Sequence, residues 1–432
     1  NVAAPQIAIN YWKLKSDAKL IDVIKVVRED EKGHAIVNHN LADTLDEDAK
    51  NKHVKQIELK REEPQFTPTP EMPASNRYQQ FRLGDLVLFN RIVMAPLTRN
   101  RATLQGVPTP IMAVYYGQRA SAGLIIAEAT QISHQGQGYY CTPGIYSEEQ
   151  TLAWKNVVDT VHQSGGKICL QLWHVGRISH NSLQPNQGQP VAPSAVRANA
   201  QVYIASGMAD VSEPRALMAY EIPLIVEEYR QAAVNAKKAG FDLIEIHAAN
   251  GYLVDQFLRD STNLRADDYG GAIQNRTRFL LEVIDAVSTI YPANRIGCRI
   301  GPTSAFNDIK DSDPQALFGY VAEQLGRKGL GYIHVIEGQT GGDRNNLPFN
   351  YDTIYQKFKM HGGGASMANN GYNKHLAEAT SVDLVAFGVP FISNPDLVYR
   401  LEHDLPLAQA DSTSFYGGGE KGYTDYLLSP KN

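Results

Sequence analysis

From Tyr78 onward the chain alternates short apolar runs with segments of helical periodicity, and that alternation admits few architectures. The apolar runs are Arg91 to Ala95 (RIVMA), Gly123 to Ala127 (GLIIA), Lys167 to Leu172 (KICLQL), Asp242 to His247 (DLIEIH), Arg295 to Ile300 (RIGCRI), Gly331 to Ile336 (GYIHVI) and Asp383 to Phe387 (DLVAF). Between them, Glu227 to Lys238, Arg276 to Ile290 and Asp313 to Lys328 carry helical patterning, with Gly240 and Gly329 as stops. Strands that are apolar throughout must be covered on both faces, as parallel strands are in βα units. Seven clear strands and a weaker eighth, near Ala365 to Ala368, suggest a closed (β/α)8 barrel. Strand counting alone leaves a doubly wound open sheet as a rival.

Such a barrel takes ~250 residues before loop insertions, so a chain of 432 residues has room for one, its loops and an extension. Residues 1–65 are denser in charge than the chain as a whole, which is 20% Asp, Glu, Lys and Arg. Leu20 to Val27, His34 to Val37 and Val54 to Leu59 read as short strands there, but they offer too little apolar material for a core of their own. The segment is expected to be a surface appendage or subunit contact, with a regulatory or lid role as the alternative. Residues 66–77 are Pro-punctuated and read as an extended linker, and residues 78–432 as the catalytic barrel.

The net charge of −5 is spread along the chain and gives no support for nucleic acid or an anionic membrane as partner. No run of ~18 apolar residues marks a membrane helix. Cys141, Cys169 and Cys298 lack close pairing, which fits free thiols in a reducing, cytoplasmic setting. Because the chain begins at Asn1 rather than Met, a removed targeting peptide stays open.

In a (β/α)8 barrel the working residues lie at the C-terminal strand ends and in the loops beyond. Those positions here hold Pro96 and Thr98, Glu128 and Ala129, Gln171 and Trp173, then His247, Asn250 and Tyr252, and Arg299. His247 and Asn250 can aim two donors at one oxygen that gains negative charge during reaction. Tyr252 can supply a proton to a neighbouring carbon. The bland alternative is that His247 caps its loop while Tyr252 and Trp173 are packed aromatics. His174 and His180 match no zinc spacing, and no metal site is expected. No GxGxxG follows an apolar strand run and opens a helical one, as a dinucleotide fingerprint would, and no P-loop is present. Phosphate commonly binds after strands seven and eight of such barrels, which points to Asn369, Asn370 and Gly388.

Several long motifs, in order, carry a resemblance: FNRIVMAPLTRNRA, SAGLIIAEATQIS, LQLWHVGRISH, IEIHAANGYLVDQFL, YGGAIQNRTRF, FISNPDLVYRL and FYGGGEKGYTDY. Residues 80–426 resemble the old yellow enzyme family of FMN-dependent ene-reductases. The resemblance favours the closed barrel and implies FMN as cofactor, with NADPH or NADH as reductant in a shared pocket. It also implies a small-molecule substrate, an activated C=C bond of an α,β-unsaturated carbonyl, with nitro compounds or nitrate esters as further acceptors. By the same resemblance Thr98 bonds the flavin carbonyl, Pro96 and Ala129 line its ring, and Gln171 and Arg299 meet its pyrimidine end. His247 and Asn250 would hold the substrate oxygen, Tyr252 would protonate carbon, and Trp173 and Tyr416 would shape the substrate face. A homo-oligomer is open.

One departure falls at the phosphate end. The family's Gly followed by Arg or Lys is here Gly388-Val389, and the helix Lys374 to Thr380 is about one turn short. Loss of that cation predicts weakened FMN binding. It keeps alive a second reading, a flavin-poor barrel acting as a binding or scaffold protein.

Overall fold

The computed structural model describes residues 77–344 and 348–429. The strands expected within residues 1–65 lie outside the described residues, as does the linker up to residue 76. Eight parallel strands form the barrel: β1 (Ile92–Met94), β2 (Leu124–Gln131), β3 (Ile168–Trp173), β4 (Leu243–Ala248), β5 (Ile296–Ile300), β6 (Tyr332–Ile336), β7 (Ala365–Asn369) and β8 (Leu384–Phe387). Each pairs with its sequence neighbours, and β8 pairs with β1 through Val385↔Ile92 to Phe387↔Met94. That closure removes the open-sheet rival.

The helices in chain order are α1 (Pro110–Gln118), α2 (Glu148–Gln163), α3 (Ile222–Ala239), α4 (Leu253–Leu258), α5 (Ile273–Ser288), α6 (Pro314–Arg327), α7 (Tyr351–Met360), α8 (Lys374–Ala379), α9 (Val389–Ser393) and α10 (Leu397–Glu402). Their starts follow ordinary capping chemistry. The Ser147 side chain accepts from Gln150 N ahead of α2, and Asp313 accepts from Ala316 N ahead of α6. Gly240, at φ 92°, closes α3 in the left-handed conformation. Helix α3 begins at Ile222, five residues before the expected Glu227. Pro223 reads as a breaker in sequence, but proline is tolerated in a first helical turn, and Ile222 and Ile225 are buried.

Side chains pointing into the barrel change character from bottom to top because strand residues alternate faces. At the lower end Val93, Leu124, Ile126, Leu243, Tyr332, Met367 and Leu384 cluster with Leu83, Leu86 and Leu88 of the hairpin Phe81–Leu83 and Leu86–Leu88, which plugs that end. Gly297 is required there: a Cβ would fall 2.1 Å from the Tyr332 ring. One layer higher the inward residues are polar and bonded to each other. Gln171 Nε2 donates to Glu245 Oε1 at 2.7 Å, and His334 Nδ1 lies 2.8 Å from Glu245 Oε2. Above them, at the mouth, stand Trp173, His247, Arg299 and Asn369. No helix among the described residues is long and apolar enough to cross a membrane.

Candidate active site

The mouth is built around the end of β4. His247 is on the strand, and the chain then turns through two consecutive left-handed residues, Asn250 (φ 61°) and Gly251 (φ 72°). Asparagine tolerates that conformation and glycine adopts it without strain. A Cβ on Gly251 would also sit 2.8 Å from Phe306 O, so the β5 loop packs directly on this turn. Asn307 Nδ2 donates to Asn250 O at 2.8 Å, and Asp255 Oδ2 accepts from Gly251 N at 3.0 Å. The turn therefore delivers Tyr252 to the start of α4 in a fixed position.

Three adjacent strand ends offer buried donors with no protein partner: Trp173 Nε1 on β3, His247 Nδ1 on β4 and Arg299 Nε on β5. Unpaired buried donors are costly and rare, so their convergence marks a ligand site with acceptor atoms. His247 lies opposite Arg299 in the β4–β5 register. Burial first, then the Arg299 and His334 charges, holds its imidazole well below the usual range, so it is neutral. Tyr252 is buried, and that burial pushes its phenol well above the ordinary value, so it keeps its proton. Its ring meets Trp173 edge-on at 5.0 Å and His247 at 5.1 Å.

The residues expected to hold a flavin ring fall around the same mouth. Pro96 and Thr98 are half-buried beyond β1, and Ala129 is buried at a bulge between Ala127 and Thr130 of β2. The bulge carries β2 to Gln131, past the expected end at Ala127. Beside Ala129, the buried Glu128 accepts from Tyr116 Oη at 3.0 Å and is pushed by burial up to about 7. Arg299 Nη2 donates to Asn369 Oδ1 at 2.8 Å, tying β5 to β7. A free guanidinium Nε, a neutral imidazole and a half-buried Thr98, all at C-terminal strand ends, are donors of the kind that the polar edge of a flavin takes.

The phosphate end is different. The Asn369 amide donates to Ala386 O and the Asn370 amide to Glu337 O, so both side chains serve the protein's own backbone. Gly388 precedes α9, and Val389 is half exposed there with no charge to offer. Arg344, missed from sequence, bonds Asn370 O at 2.9 Å, but Glu337 pairs with it at 2.7 Å.

Other residues also escaped the sequence reading. Tyr139, beyond β2, has its hydroxyl 3.0 Å from that of Tyr252 and its ring stacked on Trp173 at 5.7 Å. Thr340, beyond β6, bonds the Asn250 amide. Their only sequence signal was a place after a strand end. Tyr416 is exposed, on a segment pinned by Arg99 Nε to Phe415 O and by Gly417 N to Arg99 O. It is near enough to act electrostatically on Tyr139 and Tyr252. His174 serves its own loop, with Nδ1 accepting from Gly176 N, and burial lowers it to about 3. Among the described residues no cluster of His, Cys, Asp or Glu is arranged to hold a metal ion.

A closed parallel barrel with unpaired donors, a neutral His and a protonated Tyr at its C-terminal mouth has the fold and the site position of a (β/α)8 enzyme. The chain belongs to the NADH:flavin oxidoreductase / NADH oxidase family, whose model matches residues 78–408. The alternative oxidase family's model matches residues 1–43. The chain is 44% identical over 366 residues to putative 12-oxophytodienoate reductase 11 of Oryza sativa subsp. japonica, covering 82% of this chain and 97% of that protein. It is likewise 44% identical over 354 residues to 12-oxophytodienoate reductase 1 of the same plant, covering 80% and 91%. Among solved structures, morphinone reductase in complex with tetrahydroNAD superposes with a TM-score of 0.78 at 46% identity, covering 82% of this chain and 98% of that one. The old yellow enzyme homologue from Zymomonas mobilis does so with a TM-score of 0.78 at 40% identity, covering 82% and 100%. The protein is thus an NAD(P)H-dependent, FMN-containing oxidoreductase of the ene-reductase kind, and the scaffold reading falls away.

Proposed function

We propose that this barrel mouth reduces the C=C bond of α,β-unsaturated carbonyl compounds, with nitro compounds and nitrate esters as further acceptors. The observation that carries the reading is the neutral, unpartnered His247 beside Asn250, with a protonated Tyr252 in ring contact. His247 and Asn250 hold the substrate oxygen and stabilise the charge that grows on it. Tyr252 gives its proton to the α-carbon. FMN, when bound, supplies hydride that it has received from NADPH or NADH. Pro96, Thr98, Ala129, Gln171 and Arg299 would hold its ring, and the backbone at Asn369, Asn370 and Gly388 would hold its phosphate. Trp173 and Tyr416 bound the substrate space. Relatives named for 12-oxophytodienoate and morphinone support the substrate class.

The same reading takes residues 1–65 as a segment distinct in sequence from the barrel, supported by the separate family match over residues 1–43, and a cytoplasmic enzyme without nucleic-acid partners is proposed with it. The decisive experiment is an anaerobic titration of the flavin-loaded protein. Its visible band should bleach with NADPH and return when 2-cyclohexenone is added. A band that bleaches and stays bleached with every enone tried sinks the reading.

A further inference from the structure

A buried phenol that gives up its proton leaves a buried phenolate, and such an anion is tolerated only where a donor reaches it at once. Tyr252 has such a donor in Tyr139, whose hydroxyl lies 3.0 Å away. The placement of Tyr139 is closely determined. Its ring stacks on Trp173 at 5.7 Å with 12° between planes, and meets Tyr252 edge-on at 6.5 Å. Its carbonyl accepts from Gln137 Nε2 at 3.1 Å and from Thr142 Oγ1 at 3.0 Å, and Thr142 is in turn 2.8 Å from Gln131 Oε1.

The pair is asymmetric. Tyr252 is buried while Tyr139 is half-buried, so the Tyr139 end lies nearer water. Burial raises both phenols, Tyr139 to about 12 and Tyr252 well above its ordinary value. The hydrogen bond between them lowers Tyr139 and raises Tyr252, so at the end nearer water the anion is less costly. The side chain of Asn307, on the partly exposed β5 loop, lowers both and favours an anion at either position.

We propose that Tyr139 and Tyr252 form a two-hydroxyl proton relay in which Tyr139 reprotonates Tyr252 as Tyr252 protonates the substrate. The proposal rests on the reading of Tyr252 as the acid. As the Tyr252 O–H bond breaks, a C–H bond forms at the α-carbon. The Tyr139 O–H bond breaks as the Tyr252 O–H bond is restored, and a solvent proton then returns to the Tyr139 oxygen. No electrons change hands in the relay, and its net effect is one solvent proton delivered to carbon. Tyr139 does not touch the substrate in this scheme and is a positioning and relay residue.

The test uses Tyr139→Phe, which keeps the stacking on Trp173 and loses only the hydroxyl. The flavin-loaded protein is reduced anaerobically, then mixed with 2-cyclohexenone in a stopped-flow instrument across mixtures of H2O and D2O. Wild-type reoxidation should depend on the deuterium fraction along a bowed curve, because two protons move together. In Tyr139→Phe reoxidation should slow by about 5- to 50-fold, a partial loss of acid catalysis, and the curve should straighten. Flavin reduction by NADPH should stay within about twofold, since no proton transfer to carbon is involved. Wild-type reoxidation kinetics in Tyr139→Phe, with Tyr252→Phe still slow, would overturn the relay and leave the acid assignment standing. A slow variant whose curve keeps the wild-type bow would also overturn it, because only packing would have been lost. Fast reoxidation in Tyr252→Phe would remove the acid assignment and the relay together.

Discussion

Thr340 Oγ1 donates a 2.7 Å hydrogen bond to Asn250 Oδ1, and this bond decides which end of the Asn250 amide is free for a ligand. With its oxygen held from the β6 loop, Asn250 offers its NH2 group. Ser304 Oγ lies 3.0 Å from the same threonine hydroxyl and backs it from the β5 loop. An oxygen-binding pair assembled on β4 thus depends on two other loops for its polarity.

Thr340→Val should free the amide to flip and weaken a phenolic ligand such as p-hydroxybenzaldehyde. The expected loss is about 0.5–1.5 kcal/mol, roughly two- to tenfold in Kd, the worth of one neutral hydrogen bond. A titration followed by absorbance reads it directly, and an unchanged Kd would show that the amide is oriented by something else.

His247→Ala combined with Asn250→Ala removes both oxygen donors and should lower enone turnover by ~10²-fold or more. Tyr252→Phe should behave differently, sparing flavin reduction by NAD(P)H and slowing only reoxidation by an enone. Steady-state turnover of the double variant at the wild-type level would refute the assignment of the oxygen-binding pair.

Val389→Arg restores a cation at the start of α9. FMN should bind more tightly by about 1.5–3 kcal/mol, roughly ten- to a hundredfold, as one charge-assisted hydrogen bond allows. Riboflavin, lacking the phosphate, should bind both proteins equally. Fluorescence titration of the apoprotein with each flavin makes the comparison, and equal FMN affinities would mean the phosphate lies elsewhere.

Glu128 carries a pH dependence with a definite sign. Burial raises its carboxyl from 4.5 to about 7 in the folded protein, so the folded state binds the proton more tightly than the unfolded one. Its contribution is fully favourable below about 4.5 and is lost as pH rises through about 7. Glu128→Gln should therefore gain on the wild type between pH 5 and 8 by about 2–3 kcal/mol. Urea unfolding of both proteins at several pH values tests this, and parallel stability profiles would refute it.

Much of the barrel was legible because its strands obey a local rule. Runs such as GLIIA and DLIEIH announce strands covered on both faces, and even the weak run at Ala365 proved to be β7. Boundaries were less legible where local rules conflict. Pro223 hid the first turn of α3, and the bulge after Ala127 carries β2 on to Gln131 through Glu128, whose charge interrupts the apolar run. The strand-end rule also placed His247, Asn250, Tyr252 and Trp173 at the mouth, since each position follows from where its own strand stops.

What the sequence determined by itself was therefore the set of strands, their order and the chemistry available at each strand end. Only the tertiary structure decided which of those groups meet. Tyr139 and Tyr252 are 113 residues apart, and Thr340 and Asn250 are 90 apart. Arg344 was missed for the same reason, since its partner Asn370 lies across the β6 and β7 loops. The physical reason is closure: joining β8 to β1 draws loops from distant parts of the chain onto one rim. There hydrogen-bond geometry, which no local pattern encodes, selects the pairs.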